Sequence, residues 1–290
     1  GKSTIQKLIL GFYAPQEGQE AFTDRRDIVP EYQQDLADQH DIIAPDRRRY
    51  VLGSLLALGA GAAGAAAVNA WYPLAGLACD VSSPTGERRL FTLDEGSSLL
   101  LDARSRVDLS YSLAERVLNL LDGAVLLTTV SSHGPPLAVR TAEGRIRPLG
   151  TQVMVRQQGH RTLVVAQQGS AEIETISGAH AILPAGTGTR FDAARIGAPR
   201  AELMAEAAWK DGLIQANGRP LVEIVAALRP YRAGQLRVST VAGGLPVRGD
   251  YPLDDTDATL LALSARMPIR VRRLTPWFVS IDVISPTKTA

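Results

Sequence analysis

The chain holds a single cysteine, Cys79, in 290 residues, so no intrachain disulfide can form. Any exported part must therefore rest on a packed β or α/β core rather than on cross-links. Histidine is scarce as well. His40, His133, His160 and His180 are scattered, and none has a second ligand at metal-site spacing, so the sequence offers no metal site and implies no cofactor. Neither charge sign is in excess: 31 Lys and Arg against 30 Asp and Glu leave a formal net charge of +1. That balance gives no basic stripe for direct nucleic-acid binding. Aromatic residues make up only 5%. The length suits about two domains.

Charge is missing altogether from Val51 to Cys79, directly behind Arg47-Arg48-Arg49. A helix needs about 20 apolar residues to cross a membrane core, and Val51 to Leu74 supplies them. Arginines on one flank mark the side retained in the cytoplasm. The run is weakly hydrophobic: Val51 to Ala70 contains four Leu and two Val among Ala and Gly. Six such residues contribute roughly −2 to −3.5 kcal/mol, which glycines and Asn69 erode. Trp71 and Tyr72 fall where interfacial aromatics belong. Residues 47–78 are thus expected to be a transmembrane helix or a twin-arginine-type signal anchor. A cleaved signal peptide and a buried Ala/Gly-rich helix compete with that reading.

The arm before the run begins Gly1-Lys2-Ser3-Thr4. Residues 1–18 resemble the end of a phosphate-binding loop and its following helix, as in ABC-transporter ATPases. The upstream strand and first glycine of such a loop are missing, so the fragment cannot build a nucleotide site. A junction or leftover sequence is the plainer account. Residues 19–46 are acidic and polar, without a sustained helical stripe, and read as a short, poorly ordered cytoplasmic arm or a peptide that folds on contact.

From Thr85 the pattern changes to period two. Arg88 to Leu93, Leu99 to Leu101, Val107 to Tyr111 and Arg116 to Leu121 have strand lengths. Turn signals at Asp94-Glu95-Gly96, Asp122-Gly123, Gly134-Pro135-Pro136, Glu143-Gly144 and Gln168-Gly169 separate the segments. This is an antiparallel β-domain over 80–192, either a sandwich or a short β-solenoid. Residues 193–208 read as a linker or a short helix. A second module over 209–290 has the order β-α-β-β-α-β. In it, Pro220 is suited to a first helical residue, and Leu221, Ile224, Val225 and Leu228 form one buried face. The fold class is mainly β with a C-terminal α/β module.

At these residues the sequence resembles the FecR family. Thr85-x-Glu87, Leu93-Asp94-Glu95-Gly96-Ser97, Arg116 to Gly123, Pro136-Leu137-Ala138-Val139, Leu149-Gly150-Thr151-x-Val153 and Gln168-Gly169-x-Ala171 follow the family's order. Trp209-x-x-Gly212, Leu221-x-Glu223 and Arg229-Pro230-Tyr231 continue it. Glu95, Ala124 and Pro230 depart from the family's usual residues. The resemblance spans about 80–285. It implies a single-pass inner-membrane regulator with a cytoplasmic N-terminus and periplasmic C-terminal domains. Such a protein relays an iron-siderophore signal from a TonB-dependent outer-membrane receptor to a cytoplasmic sigma factor of the extracytoplasmic-function type, as an anti-sigma factor. It also implies that the C-terminal module, akin to the short N-terminal domains of secretins and TonB-dependent receptors, docks the receptor's signalling domain. Arg270, Arg272 and Arg273 are candidates for that face.

Some family members cleave themselves between Gly and Thr, which makes Gly150 and Thr151 candidate catalytic residues. The Thr151 hydroxyl would attack the Gly150 carbonyl, turning the amide into an ester that water hydrolyses. His160 or His133 could in principle act as base, although nothing in the sequence places them there, and glycine would permit a strained backbone at 150. The competing reading is a plain turn entering a strand. At the level of the whole chain, a binding regulator is favoured over a metabolic enzyme. The alternatives are a periplasmic ligand- or protein-binding module with no sigma-factor role, and a remnant of an ABC-transporter ATPase.

Overall fold

The computed structural model describes residues 41–42, 79–130, 134–275 and 277–284. Fourteen strands build the first part: β1 (Asp41–Ile42), β2 (Val81–Ser82), β3 (Arg89–Thr92), β4 (Ser98–Leu101), β5 (Arg106–Tyr111), β6 (Arg116–Asp122), β7 (Ala124–Thr128), β8 (Leu137–Arg140), β9 (Gly144–Pro148), β10 (Gln152–Gln158), β11 (Arg161–Gln168), β12 (Ala171–Thr175), β13 (His180–Leu183) and β14 (Thr187–Phe191). They form two seven-stranded sheets. One has the order β1-β3-β4-β7-β10-β11-β14, the other β13-β12-β9-β8-β6-β5-β2. Pairing is antiparallel except for β1 with β3 and β6 with β8. Arg47, Arg48, Arg49 and the uncharged run up to residue 78 lie outside the described residues. Among those described, no helix is long and apolar enough to cross a membrane.

The sheets face each other across a core of Leu99, Leu101, Leu118, Val125, Leu127, Ile146, Val153, Val155, Val164 and Ile173. These positions alternate along each strand, as the two-residue pleat period requires. In the first sheet the other face is buried too. Ala124, Leu126, Met154, Leu163 and Val165 point away from the sandwich and join a second core, shared with the C-terminal module. Double burial explains why Ala124–Thr128, Gln152–Gln158 and Arg161–Gln168 carry continuous apolar runs instead of alternation.

The segment 193–208, expected as a linker or a short helix, is no free tether. Ile196 bridges back to Phe191 and Arg200 to Gly188. A 3-10 helix, Ala201–Asp211, then crosses the expected boundary at 209 and packs on β11 and β14. It ends at Gly212, whose left-handed φ of 73° suits a helix C-cap.

The C-terminal module contains β15 (Leu213–Gln215), β16 (Arg219–Pro220), α1 (Leu221–Leu228), β17 (Gln235–Val238), α2 (Thr240–Gly243), β18 (Pro246–Val247), β19 (Asp250–Pro252), α3 (Thr256–Arg266), β20 (Ile269–Thr275) and β21 (Phe278–Val283). The expected single β-α-β-β-α-β layer is not what forms. The strands fall into three ladders, β15–β19, β16–β18 and β17-β21-β20. Gly249, with φ of 104°, separates β18 from β19. Pro220 sits one residue earlier than expected, as N-cap, and α1 buries Leu221, Ile224, Val225 and Leu228. It stops before Pro230, as the restricted backbone ahead of a proline dictates. Asp255 caps α3 by accepting from the Ala258 amide at 2.8 Å.

Candidate functional site: the joint between the β-sandwich and the C-terminal module

The second core brings together charged residues far apart in sequence. The Glu206 side chain, on the 3-10 helix, is only 3% exposed and pairs with three guanidiniums. Arg156 on β10 lies at 2.9 Å, Arg190 on β14 at 2.8 Å and Arg219 on β16 at 3.0 Å. Arg219 also reaches Glu223 of α1 at 3.1 Å. A buried carboxylate is tolerated only with such partners. Strands of both modules and the helix between them are thus pinned to one carboxylate.

A second network lies beside the first. Asp102, buried after β4, accepts a short hydrogen bond from the Tyr231 hydroxyl of the C-terminal module. Arg156 stands 3.7 Å from its other oxygen. Burial pushes the Asp102 carboxyl above the usual carboxylate range, against the pull of Arg156. Burial, reinforced by Asp102, likewise pushes the Tyr231 phenol far up. Arg88 covers the Tyr231 ring at 5.7 Å and pairs with Asp254 at 3.0 Å. The Gly86 amide donates to the Pro230 carbonyl at 3.0 Å.

A cleft of about 630 Å³ opens along this seam. Gln157, Gln158 and Gly159 line one wall, Glu223, Ala226 and Ala227 of α1 the other. The indole N–H of Trp209, in the same seam, is buried and has no hydrogen-bond partner among the described residues. Four carboxylates (Asp102, Asp122, Glu206, Glu223) and four arginines (Arg156, Arg190, Arg219, Arg229) line it, so the cleft is not built for one sign of ligand. Among the described residues no group of three potential metal ligands forms.

Gly150 and Thr151 lie elsewhere, at the turn entering β10. The Thr129 hydroxyl donates to the Gly150 carbonyl at 2.7 Å, and the Thr151 hydroxyl donates to Gln168 Oε1 at 3.0 Å. The expected backbone strain is absent, since Gly150 is not among the positive-φ glycines. Glycine is needed there for another reason: a Cβ would run into the Gln168 carbonyl oxygen and Gly169 Cα. His160 cannot serve as base. It sits at the far end of the β10–β11 hairpin, about 20 Å away over the six steps of β10 at strand rise. His133 lies outside the described residues.

The candidate arginines separate. Arg270 and Arg272 are exposed on the face of β20 opposite the buried Ile269. Arg273 follows on the other face and pairs with Asp257 of α3 at 2.8 Å. The joint itself was missed by sequence reasoning. Its one readable signal was the doubly apolar strands, which demand a covering partner.

Comparison with known proteins agrees with this architecture. Two crystal structures of a candidate anti-sigma factor from Parabacteroides distasonis ATCC 8503, at 2.50 and 1.65 Å, superpose with TM-scores of 0.61 and 0.60. Each is 18% identical and covers 71% of this chain and 98% or 99% of its own. At that identity the likeness is one of fold. No curated protein matches the chain. Residues 80–172, most of the β-sandwich from β2 into β12, match the family model described as FecR protein.

Proposed function

We propose that this chain is a signal-transducing regulator rather than a metabolic enzyme. It is held in the inner membrane by residues 47–78, with residues 1–46 in the cytoplasm and the FecR domain and C-terminal module in the periplasm. It relays the state of a TonB-dependent receptor to an extracytoplasmic-function sigma factor, in iron-siderophore signalling. The observation that carries the reading is the FecR domain fused to a C-terminal module through a buried, charge-matched joint. A module docked so firmly can pass a load from a partner to the rest of the chain.

Anchoring has one structural requirement. A crossing at 47–78 would put Asp41–Ile42 across the membrane from β3, so the β1–β3 pairing must open. It is a two-residue parallel ladder at a sheet edge, and each hydrogen bond there contributes about 0.5–1.5 kcal/mol. Membrane insertion of a weakly apolar helix is of comparable or larger size. Fractionation of cells expressing the full chain tests the anchor: recovery with the inner membrane after a carbonate wash supports it, and recovery in the soluble fraction refutes it.

Self-cleavage at Gly150-Thr151 is a second reading, favoured by the Thr129 hydroxyl on the Gly150 carbonyl, which would polarise that carbonyl toward attack. Expression of Thr151→Ala beside wild type decides it. A fragment pair that disappears in the variant supports cleavage; identical band patterns exclude it.

A further inference from the structure

The three-stranded ladder β17-β21-β20 buries one face only. Leu236, Ile269, Val279 and Ile281 point into the shared core. Their neighbours in the alternation point outward: Arg237 on β17, Ser280 and Asp282 on β21, Arg270 and Arg272 on β20. Registry aligns Arg237, Ser280 and Arg272 in one row and Asp282 with Arg270 in the next. Three arginines therefore share this face with one carboxylate, and Asp282 is itself engaged by the Ser280 hydroxyl at 2.9 Å.

β20 is also an edge. Among the described residues no strand pairs with its outer side, so beyond Ile269, whose amide bonds the Met267 carbonyl at 2.7 Å, the outward backbone N–H and C=O groups have no ladder partner. At its end the register shifts between Arg273 and Thr275, and Leu274 is thrown out of the ladder with 63% of its surface exposed. Trp277, 47% exposed, follows at the turn. The edge thus presents a row of positive charge closed by two apolar side chains.

An arginine-lined edge repels its own copy, because like charges directly opposite destabilise a strand pair. It attracts an extended segment that carries carboxylates at alternate positions. Resting on the reading of the C-terminal module as a docking module, we infer that β20 takes an acidic strand from a partner protein as a fourth strand of this ladder. The partner's main chain pairs with β20, its carboxylates lie over Arg270 and Arg272, and an apolar residue covers Leu274 and Trp277.

Fluorescence anisotropy with the full chain and a blocked, labelled peptide of alternating Glu and Val tests this. Three further probes complete the set: the Lys-for-Glu peptide, a copy N-methylated at alternate amides, and the double variant Arg270→Glu/Arg272→Glu, whose fold is checked by its melting curve. The acidic peptide should bind, at least tenfold more tightly than the Lys peptide, the N-methylated peptide or the acidic peptide on the double variant. Arg237→Glu, two strands away from the edge, should lower affinity less than Arg272→Glu. Absence of binding overturns the proposal. Equal binding of the N-methylated peptide, or an equal loss with Arg237→Glu, overturns the strand pairing. The assay uses neither membrane nor sigma factor, so its failure and a failure of the signalling role are separate results.

Discussion

Replacing Glu206 by Gln removes one negative charge and keeps the shape of the side chain. In the folded protein it leaves Arg156, Arg190 and Arg219 converging on a neutral amide at 3% exposure. Each charge-assisted hydrogen bond contributes about 1.5–3 kcal/mol, and interactions that share one carboxylate are not additive. Loss of one side of a buried ion pair costs about 3–5 kcal/mol, and we expect Glu206→Gln to fall there. Urea unfolding followed by Trp209 fluorescence, in a Trp71→Phe/Trp277→Phe background, reads the joint directly. With a slope of about 1–3 kcal/mol/M, the midpoint should drop by at least 1 M. Glu172 is the control. It bonds Arg147 at 2.8 Å and His180 at 2.7 Å on the open side of the other sheet, and Glu172→Gln should cost about 0–1 kcal/mol. If both variants unfold together with wild type, the joint is not held by its charges and the argument for rigid coupling fails.

Met154→Ala should destabilise by about 2–5 kcal/mol, because the side chain is buried where sandwich and C-terminal module meet; a change under 1 kcal/mol in the same urea assay would mean the modules do not share a core. Asp102 has its carboxyl pushed up by burial, so the folded state holds that proton more tightly than the unfolded chain. Its contribution is complete below the ordinary carboxylate pKa of about 3.9 and is lost as pH rises to the folded value. The stability of Asp102→Asn relative to wild type should therefore increase with pH across that window, and a flat difference in melting temperature would contradict the burial argument. Gly150→Ala should destabilise by several kcal/mol through backbone overlap with Gln168 and Gly169, whereas Gly178→Ala, in open space but at φ of 85°, should cost about 1–2 kcal/mol of backbone strain.

Two strands of each sheet were legible: Arg88 to Leu93 and Leu99 to Leu101 form β3 and β4, and Val107 to Tyr111 and Arg116 to Leu121 form β5 and β6, with turns such as Asp122-Gly123 marking the ends. The central strands β7, β10 and β11 were harder, since Leu126, Met154 and Leu163 face a core that period-two reading does not require. The face of α1 was readable at i, i+3, i+4, i+7. The joint was not, because Arg88 and Asp254, or Asp102 and Tyr231, meet only after the whole chain has folded. No local pattern records a pairing across that separation. Gly150 illustrates the same limit: its place in a motif was visible, but the reason for glycine there was contact with Gly169 across the sheet.

The central claim is that this chain controls transcription through a sigma factor and needs its C-terminal module to do so. The direct measurement is the transcript profile of a host lacking the gene, complemented with the full chain or with a chain ending at residue 208. The account predicts that deletion shifts one coherent set of promoters, that the full chain restores them, and that the shortened chain does not respond to the receptor's siderophore. Unchanged transcripts on deletion, or equal restoration by both chains, would contradict it.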